Sequence, residues 1–163
     1  MDGLHGLRCG KDIFFMLELK QAVFEDAQAI TAIKVRAYNR EINTYLHRDG
    51  GPEGYDSVDS QRDILQRYPV WRIELDGALI GALFVVPQEG GAMRLEDFVI
   101  DPAHQGRGYG RRVLALLDEA YPEVRVWTLC TPEFSAGNRH LYETSGYVPV
   151  GEHDGLIEYR RAR

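Results

Sequence analysis

Apolar residues recur along this chain at two spacings, which distinguish predicted strands from predicted helices. Residues 16–21 alternate apolar and polar side chains and predict a first strand. Residues 24–39 predict a helix, because apolar positions return close to helical spacing at Ala27, Ile30, Ile33, Val35 and Ala37. Ser57 or Asp59 can cap a second helix that ends near Tyr68, where Pro69 stops it.

Two hairpins are predicted in the middle of the chain. Asp76-Gly77 is a strong two-residue turn sequence, and it lies between the apolar segments 71–75 and 78–86. Gly90-Gly91 then closes a second hairpin into residues 93–100. These segments are therefore expected to form neighbouring antiparallel strands.

Helices and strands alternate in the rest of the chain. Residues 109–120 predict a helix with an apolar inner face, residues 124–129 a buried strand, and residues 156–160 the last strand. The whole order, β-α-α-β-β-β-α-β-α-β-β, predicts a single α/β domain over residues 16–163. Residues 1–15 show no clear periodicity and are expected to be an extension outside that domain.

A glycine-rich turn connects the strand at residues 93–100 to the helix at residues 109–120. Unpaired backbone N–H groups and the positive end of the helix dipole attract phosphate at such a helix N-terminus. Glycines allow close backbone approach to the anion and dihedral angles that a Cβ would forbid. The residues predicted to form this anion cradle are Gln105, Gly106, Arg107, Gly108, Tyr109, Gly110 and Arg111.

Two other phosphate-binding motifs do not fit this turn. The dinucleotide fingerprint needs a different glycine spacing and an acidic residue roughly 20 positions further on, where residues 127–130 lie instead. The Walker motif needs a Lys-Ser or Lys-Thr after its last glycine, and none follows Gly110. Taken alone, the turn is also compatible with a purely structural strand-turn-helix.

Two segments resemble motifs of one enzyme family. The pattern Q-x-x-G-x-G after a strand ending in Asp-Pro resembles the acetyl-CoA pyrophosphate loop of the GNAT superfamily of N-acetyltransferases. Residues 134–152 resemble its closing helix and strand, N-x-x-x-x-x-L-Y-x-x-x-G-[FY], and Tyr142 matches the tyrosine beside the thioester sulfur. Ser135 replaces the first asparagine, and Asn138 fills a position that is more often small and apolar. Ser135 is still expected to cap this helix.

The resemblance implies the GNAT fold: a mixed, mostly antiparallel sheet with helices on both faces and a fourth strand splayed from the fifth. Backbone groups near Phe98, Val99 and Ile100 would then be free to bond pantetheine and the thioester oxygen. It also implies acetyl-CoA as co-substrate, bound by these groups, by the glycine-rich turn, and by Ser135 and Asn138.

Acetyl transfer to an amine requires a neutral nucleophile, a polarised carbonyl and a proton for the departing thiolate. Tyr142 is the candidate acid, since a phenol with a pKa of about 10 is protonated at neutral pH; its alternative role is a core ring. Glu96 is the candidate base, directly or through water, and its alternative role is a solvated or salt-bridged carboxylate. In a regular strand Asp97 points to the opposite face. Cys130 is expected to be a small buried hydrophobe rather than a nucleophile.

The acceptor is expected to bind the polar, glycine-rich loop between the first two predicted helices and the turn at residues 151–155. Aromatic faces and carboxylates both suit a cation, so the candidates to line an amine pocket are Tyr45, Glu53, Tyr55 and Asp56. Packing between helices is the alternative role of Tyr45 and Tyr55.

Composition narrows the class of partner. The net charge of −6 argues against a broad nucleic-acid surface, and no apolar run approaches the roughly 20 residues of a membrane span. The two cysteines, Cys9 and Cys130, suggest no disulfide framework, and the histidines lack metal-ligand spacing. We expect a cytoplasmic protein, a homodimer, with an amine acceptor as partner and with no metal, nucleic acid or membrane.

The sequence therefore predicts an acetyl-CoA-dependent N-acetyltransferase. The acceptor would be a primary amine of a small molecule, peptide or protein, attacking directly in a ternary complex. One alternative is a non-catalytic acyl-CoA-binding sensor or interaction module, which the departure at Ser135 supports. Another is a structural α/β domain that binds no CoA.

Overall fold

An antiparallel run of strands forms the first part of the sheet in the computed structural model, which describes residues 16–163. Its strands are β1 (Leu17–Gln21), β2 (Val70–Leu75), β3 (Ala78–Pro87) and β4 (Met93–Ile100). Both predicted hairpins are present, with Asp76 and Gly77 in the turn between β2 and β3. The extension predicted at residues 1–15 lies outside the described residues.

Within residues 16–163, four α-helices cover the sheet: α1 (Ala27–Leu46), α2 (Val58–Arg67), α3 (Tyr109–Ala120) and α4 (Ala136–Thr144). Helix α1 continues well past the predicted end at Asn39 and stops at His47, whose left-handed backbone donates its N–H to the Asn43 carbonyl at 3.0 Å. Ser57 caps α2, because its Oγ accepts the Ser60 N–H at 3.1 Å.

Strands β5 (Val126–Pro132), β6 (Val148–His153) and β7 (Leu156–Ala162) complete a seven-stranded sheet in the order β1-β2-β3-β4-β5-β7-β6. In the described part of the chain, only β4 and β5 pair in parallel, and they pair only where Met93 faces Trp127 and Arg94 faces Thr128. Beyond Arg94 the two strands diverge. The predicted mixed, mostly antiparallel sheet with a splayed β4/β5 pair is confirmed.

Helices pack on both faces of the sheet, as predicted. Helix α3 buries Val113, Leu114 and Leu117 in the main hydrophobic core. On the opposite face, α1 packs Ile30 and Ile33 in two smaller clusters. Among residues 16–163, no helix is long and apolar enough to cross a membrane.

Strand β4 contains a bulge at Asp97, whose φ of 49° lies in the left-handed region. The pairing with β3 shifts register there, between Ala82 and Phe84. Leu95 and Phe98 both pack into the main core, although an odd separation places two residues on opposite faces of a regular strand. Glu96 and Asp97 therefore both face away from the main core, and the expectation that they point to opposite faces is wrong.

Candidate active site

The divergence of β4 and β5 opens a cleft between two strands that run in the same direction. Their carboxyl ends consequently lie at the same edge of the sheet, with α3 following β4 and α4 following β5. Beyond Arg94, β4 has no pairing with β5, so its backbone on that side is free for a ligand. Clefts at the carboxyl ends of such strands are common binding sites in α/β proteins.

The glycine-rich turn presents a row of unpaired N–H groups at the start of α3. Within residues 16–163, no protein atom accepts a hydrogen bond from the backbone N–H groups of residues 106–111; the first helical bond runs from Arg112 N–H to Gly108 O at 3.4 Å. Gly106 and Gly108 have φ values of 74° and 81°, which glycine adopts without strain. The unpaired N–H groups expected of an anion cradle are present, and the binding of an anion by them stays a prediction.

Gln105 and Gly110 have roles in the turn that differ from those predicted. The Gln105 side chain donates to the Ile100 carbonyl at 2.8 Å, and its backbone N–H bonds Pro102 O at 3.3 Å, so Gln105 anchors the turn. Gly110 is not among the glycines with positive φ. A Cβ there would lie 3.1 Å from Leu141 Cδ2, so the dihedral explanation is wrong for Gly110, which instead permits close packing of α3 on α4.

The other side chains of the predicted cradle differ in exposure. Arg107 is exposed beside the unpaired N–H groups. Arg111 donates to Thr144 Oγ1 at 2.8 Å, and Tyr109 is buried in the main core. On β4, Val99 packs against α1, whereas Phe98 and Ile100 pack against the main core. Their contribution to binding would therefore come from the backbone.

Tyr142 lies on α4 with its ring buried and 6% of its surface exposed. The ring packs edge-to-face on Tyr147 at 5.7 Å and against Tyr159 at 6.1 Å. Its hydroxyl has no hydrogen-bond partner among the described residues. Burial, and then the nearby ionisable groups of Tyr147, Glu41 and Glu96, raise the pKa of Tyr142 well above its usual value, so the phenol keeps its proton. Tyr142 is thus a core ring that also carries an available proton.

Glu96 forms a salt bridge with Arg94, a residue that the apolar pattern of the sequence does not distinguish. Arg94 Nε lies 2.5 Å from Glu96 Oε1, which leaves Glu96 Oε2 for other contacts. Arg94 also donates to Cys130 Sγ at 3.0 Å and lies 3.7 Å from Glu158 Oε1. Cys130 is only partly buried, so the expectation of a buried hydrophobe is wrong.

Glu41 is a second carboxylate near Tyr142, and it was missed by sequence reasoning. Asn138 Nδ2 donates to Glu41 Oε2 at 3.2 Å and approaches Thr131 Oγ1 at 3.5 Å. Burial raises the pKa of Glu41, while hydrogen bonding from Ser135 and Asn138 partly opposes that rise. Ser135 occupies the N-cap position of α4, but its side chain makes no cap hydrogen bond, so the predicted capping role is wrong.

A second missed group is a buried polar cluster around the β4 bulge. Lys34 Nζ lies 2.7 Å from Asp97 Oδ2 and donates to Gln61 Oε1 at 3.1 Å. The Tyr38 hydroxyl donates to Asp97 Oδ1 at 2.7 Å. The Lys34 side chain is 3% exposed and that of Asp97 20% exposed. Burial first, and then the Asp97 carboxylate, raise the pKa of Tyr38 well above its usual value.

The predicted acceptor residues border the same cleft only in part. The Tyr45 hydroxyl accepts the Gly137 N–H at 3.2 Å, and its ring packs on Phe134. The Tyr55 hydroxyl donates to Asn39 Oδ1 at 2.9 Å. Both tyrosines therefore make the packing contacts of their alternative role. Glu53 and Asp56 are exposed on the loop. No cluster of metal-ligating side chains occurs within residues 16–163.

Comparison with known proteins identifies the family. A sequence model of the acetyltransferase (GNAT) family matches residues 28–147. This match spans most of the chain, which therefore belongs to that family and is an acyltransferase. No curated protein matches the chain significantly in sequence.

Three solved structures illustrate the similarity of fold. PaiA N-acetyltransferase from Thermoplasma acidophilum, in complex with coenzyme A, has a TM-score of 0.78 at 11% identity, covering 91% of this chain and 99% of its own. YncA from Salmonella typhimurium, with its cofactor acetyl-CoA, has a TM-score of 0.62 at 21% identity, covering 90% and 94%. A spermidine N-acetyltransferase chimera from Vibrio cholerae and hSSAT has a TM-score of 0.69 at 18% identity, covering 90% and 95%. At these identities the likeness concerns the fold.

Proposed function

We propose that the protein transfers the acetyl group of acetyl-CoA to a primary amine of a small molecule, peptide or protein, by direct attack in a ternary complex. The observation that carries this proposal is the row of unpaired N–H groups at residues 106–111, beside the cleft between β4 and β5. Donors at a helix N-terminus suit the pyrophosphate of a CoA thioester. A Cβ added at Gly106 or Gly108 would meet no atom within 4 Å, so the surface of the turn is open.

The cleft accounts for the binding of the rest of the co-substrate. The backbone groups of β4 near Phe98, Val99 and Ile100 that neither β3 nor Gln105 engages would bond the pantetheine arm and donate to the thioester oxygen. When bound, acetyl-CoA supplies the activated acetyl group. PaiA is known in complex with coenzyme A and YncA with acetyl-CoA, which supports the same ligand class for this chain.

The residues of the cleft supply the proton transfers that the reaction needs. The amine nitrogen bonds to the carbonyl carbon, the C–S bond breaks, and the departing thiolate takes the proton of the Tyr142 hydroxyl. Glu96 accepts the proton that the cationic amine loses before it attacks, directly or through water, at the oxygen that Arg94 leaves free. The second proton, which the nitrogen loses after the C–N bond forms, returns through water to the Tyr142 phenolate. Burial keeps the Tyr142 phenol protonated at neutral pH, and a thiolate formed in the same buried surroundings becomes more basic for the same reason, so the raised pKa of Tyr142 is compatible with its role as the acid.

The acceptor is inferred to be cationic before it reacts. Glu41 and Glu96 both influence Tyr142 electrostatically, so an ammonium group at the cleft would meet negative charge next to the acid. Tyr45, Glu53, Tyr55 and Asp56 stay candidates for recognition of the rest of the acceptor. A structural neighbour named as a spermidine N-acetyltransferase chimera supports an amine as substrate class. The homodimer and the cytoplasmic location stay predictions.

The test is acetyl transfer from labelled acetyl-CoA to a panel of amines, with acetyl-CoA affinity measured separately by calorimetry. Label should appear on at least one primary amine and not on its N-acetylated counterpart, which has no free amine to react. Binding without transfer to any amine, peptide or protein would contradict the proposed function and favour the acyl-CoA sensor. Absence of binding would favour a structural domain.

A further inference from the structure

The far half of β4 is held on one side only. Residues beyond Arg94 pair with β3, but no ladder connects them to β5. The β4 wall of the cleft carries the backbone expected to polarise the thioester, whereas Tyr142 belongs to α4, which follows β5. Sheet hydrogen bonds therefore do not fix the distance between the two reacting groups.

Helix α1 spans this gap with polar side chains from one face, which we name the α1 stripe: Lys34, Tyr38, Glu41 and Tyr45. Their spacing returns every three to four residues, as expected for neighbours along one helical face. The first half of the stripe contacts β4, where Lys34 and Tyr38 both bond Asp97. The second half contacts α4, where Glu41 bonds Asn138 at 3.2 Å and Tyr45 accepts the Gly137 N–H.

Asp97 is the residue of β4 that the α1 stripe contacts. Its φ of 49° lies in a region that aspartate visits more readily than most residues but does not prefer. Both carboxylate oxygens are engaged from α1, each at 2.7 Å, and Gln61 of α2 bonds the same Lys34 ammonium. The side-chain contacts thus hold the bulge in place while β5 contributes nothing there.

We propose that Asp97 is a positioning residue for acetyl transfer: Lys34 and Tyr38 hold it, and through it they set the β4 bulge at a fixed position relative to Tyr142. This inference rests on the proposed function. Both oxygens of Asp97 are engaged by Lys34 and Tyr38, so its effect is assigned to the backbone of the residues that follow it. We name the contacts of Lys34 and Tyr38 with Asp97 the tether. Loosening the tether should misplace the backbone N–H that donates to the thioester oxygen and leave the anion cradle intact.

Two variants test the tether and one serves as a matched control. Tyr38→Phe keeps the ring and removes only the hydroxyl bonded to Asp97. The double variant Lys34→Met with Asp97→Asn removes the charge pair without leaving a buried charge unpaired. Tyr121→Phe is the control, because that hydroxyl also bonds a single side chain, Trp71 Nε1 at 2.9 Å, away from the bulge.

For both tether variants we expect an acetyl-CoA Kd within about 2-fold of wild type and a kcat reduced by up to about 10-fold. The reduction is smaller than the loss of about 10²- to 10³-fold in kcat that follows complete removal of one such donor, because the donor is misplaced rather than removed. Tyr121→Phe should keep the wild-type kcat. If the tether variants lose only thermal stability and turn over normally per folded molecule, the inference is overturned while the proposed function stands. If wild type acetylates no amine, both are overturned.

Discussion

Replacing Gly108 by alanine separates anion binding from folding. The backbone at Gly108 has a φ of 81°, and an added Cβ meets nothing within 4 Å. The folded protein therefore pays only for the left-handed conformation, about 1–2 kcal/mol. For a chain of this size each kcal/mol lowers the melting temperature by roughly 2–4 °C, so the variant should still fold.

The folded Gly108→Ala variant should nevertheless bind acetyl-CoA much more weakly than wild type. The new methyl group lies on the open turn whose N–H groups are expected to bond the pyrophosphate. A hydrogen bond to a charged group contributes about 1.5–3 kcal/mol, so displacing one should raise Kd by roughly 10- to 100-fold. Calorimetry on the folded variant measures Kd, and thermal unfolding measures the stability loss.

Gly77 provides the matched control. It has a φ of 82°, an added Cβ would also meet nothing within 4 Å, and it lies in the turn between β2 and β3. Gly77→Ala should cost the same stability and leave the acetyl-CoA Kd unchanged. Equal, unchanged Kd values for the two variants would refute the cradle. Gly110→Ala is not equivalent, since its Cβ presses on Leu141 and tests helix packing.

Three further substitutions test the proposed chemistry. Tyr142→Phe should lower kcat by about 10²-fold with Kd and melting temperature unchanged, whereas reduced stability with normal turnover would leave Tyr142 a core residue. Glu96→Gln should lose most activity near neutral pH and recover part of it by about pH 9.5, where more acceptor is already neutral; parallel pH profiles would exclude Glu96 as base. Burial raises the pKa of Glu41, so the folded state binds that proton more tightly than the unfolded chain, and this stabilisation is lost as pH rises. The melting temperature of Glu41→Gln minus that of wild type should therefore be more positive at about pH 7 than at about pH 4. An equal difference at both pH values would contradict the raised pKa of Glu41.

The elements that the sequence predicts correctly are those specified by nearby residues. Asp76-Gly77 defines a hairpin, Ser57 caps the helix that follows it, and the glycine-rich turn precedes α3 at the predicted residue. Each depends on a local backbone preference or a short-range hydrogen bond, which sequence patterns record directly.

The parts that sequence reasoning missed depend on contacts between distant segments. Lys34 and Tyr38 meet Asp97 roughly 60 positions away in the chain, and Glu41 meets Asn138 still further along. The apolar face of α1 is visible in the sequence, but the sequence does not show which distant segments the polar α1 stripe beside it contacts. The bulge at Asp97 carries no glycine or proline, so the alternation of β4 reads as regular.

The polar groups of the cleft do not contribute to stability in the way the apolar core does. A buried ion pair such as Lys34 with Asp97 gains little net free energy over well-packed apolar residues of the same volume, because desolvation offsets the attraction. The raised pKa of Glu41 has the same origin, since ionising a buried carboxyl opposes folding. Lys34 and Glu41 lie on α1, on the side that faces the splayed strands, whereas α3 packs apolar residues in the main core on the opposite face. The energetically costly groups are thus concentrated where β4 lacks a partner strand, which is where the proposed mechanism requires a precise distance to Tyr142.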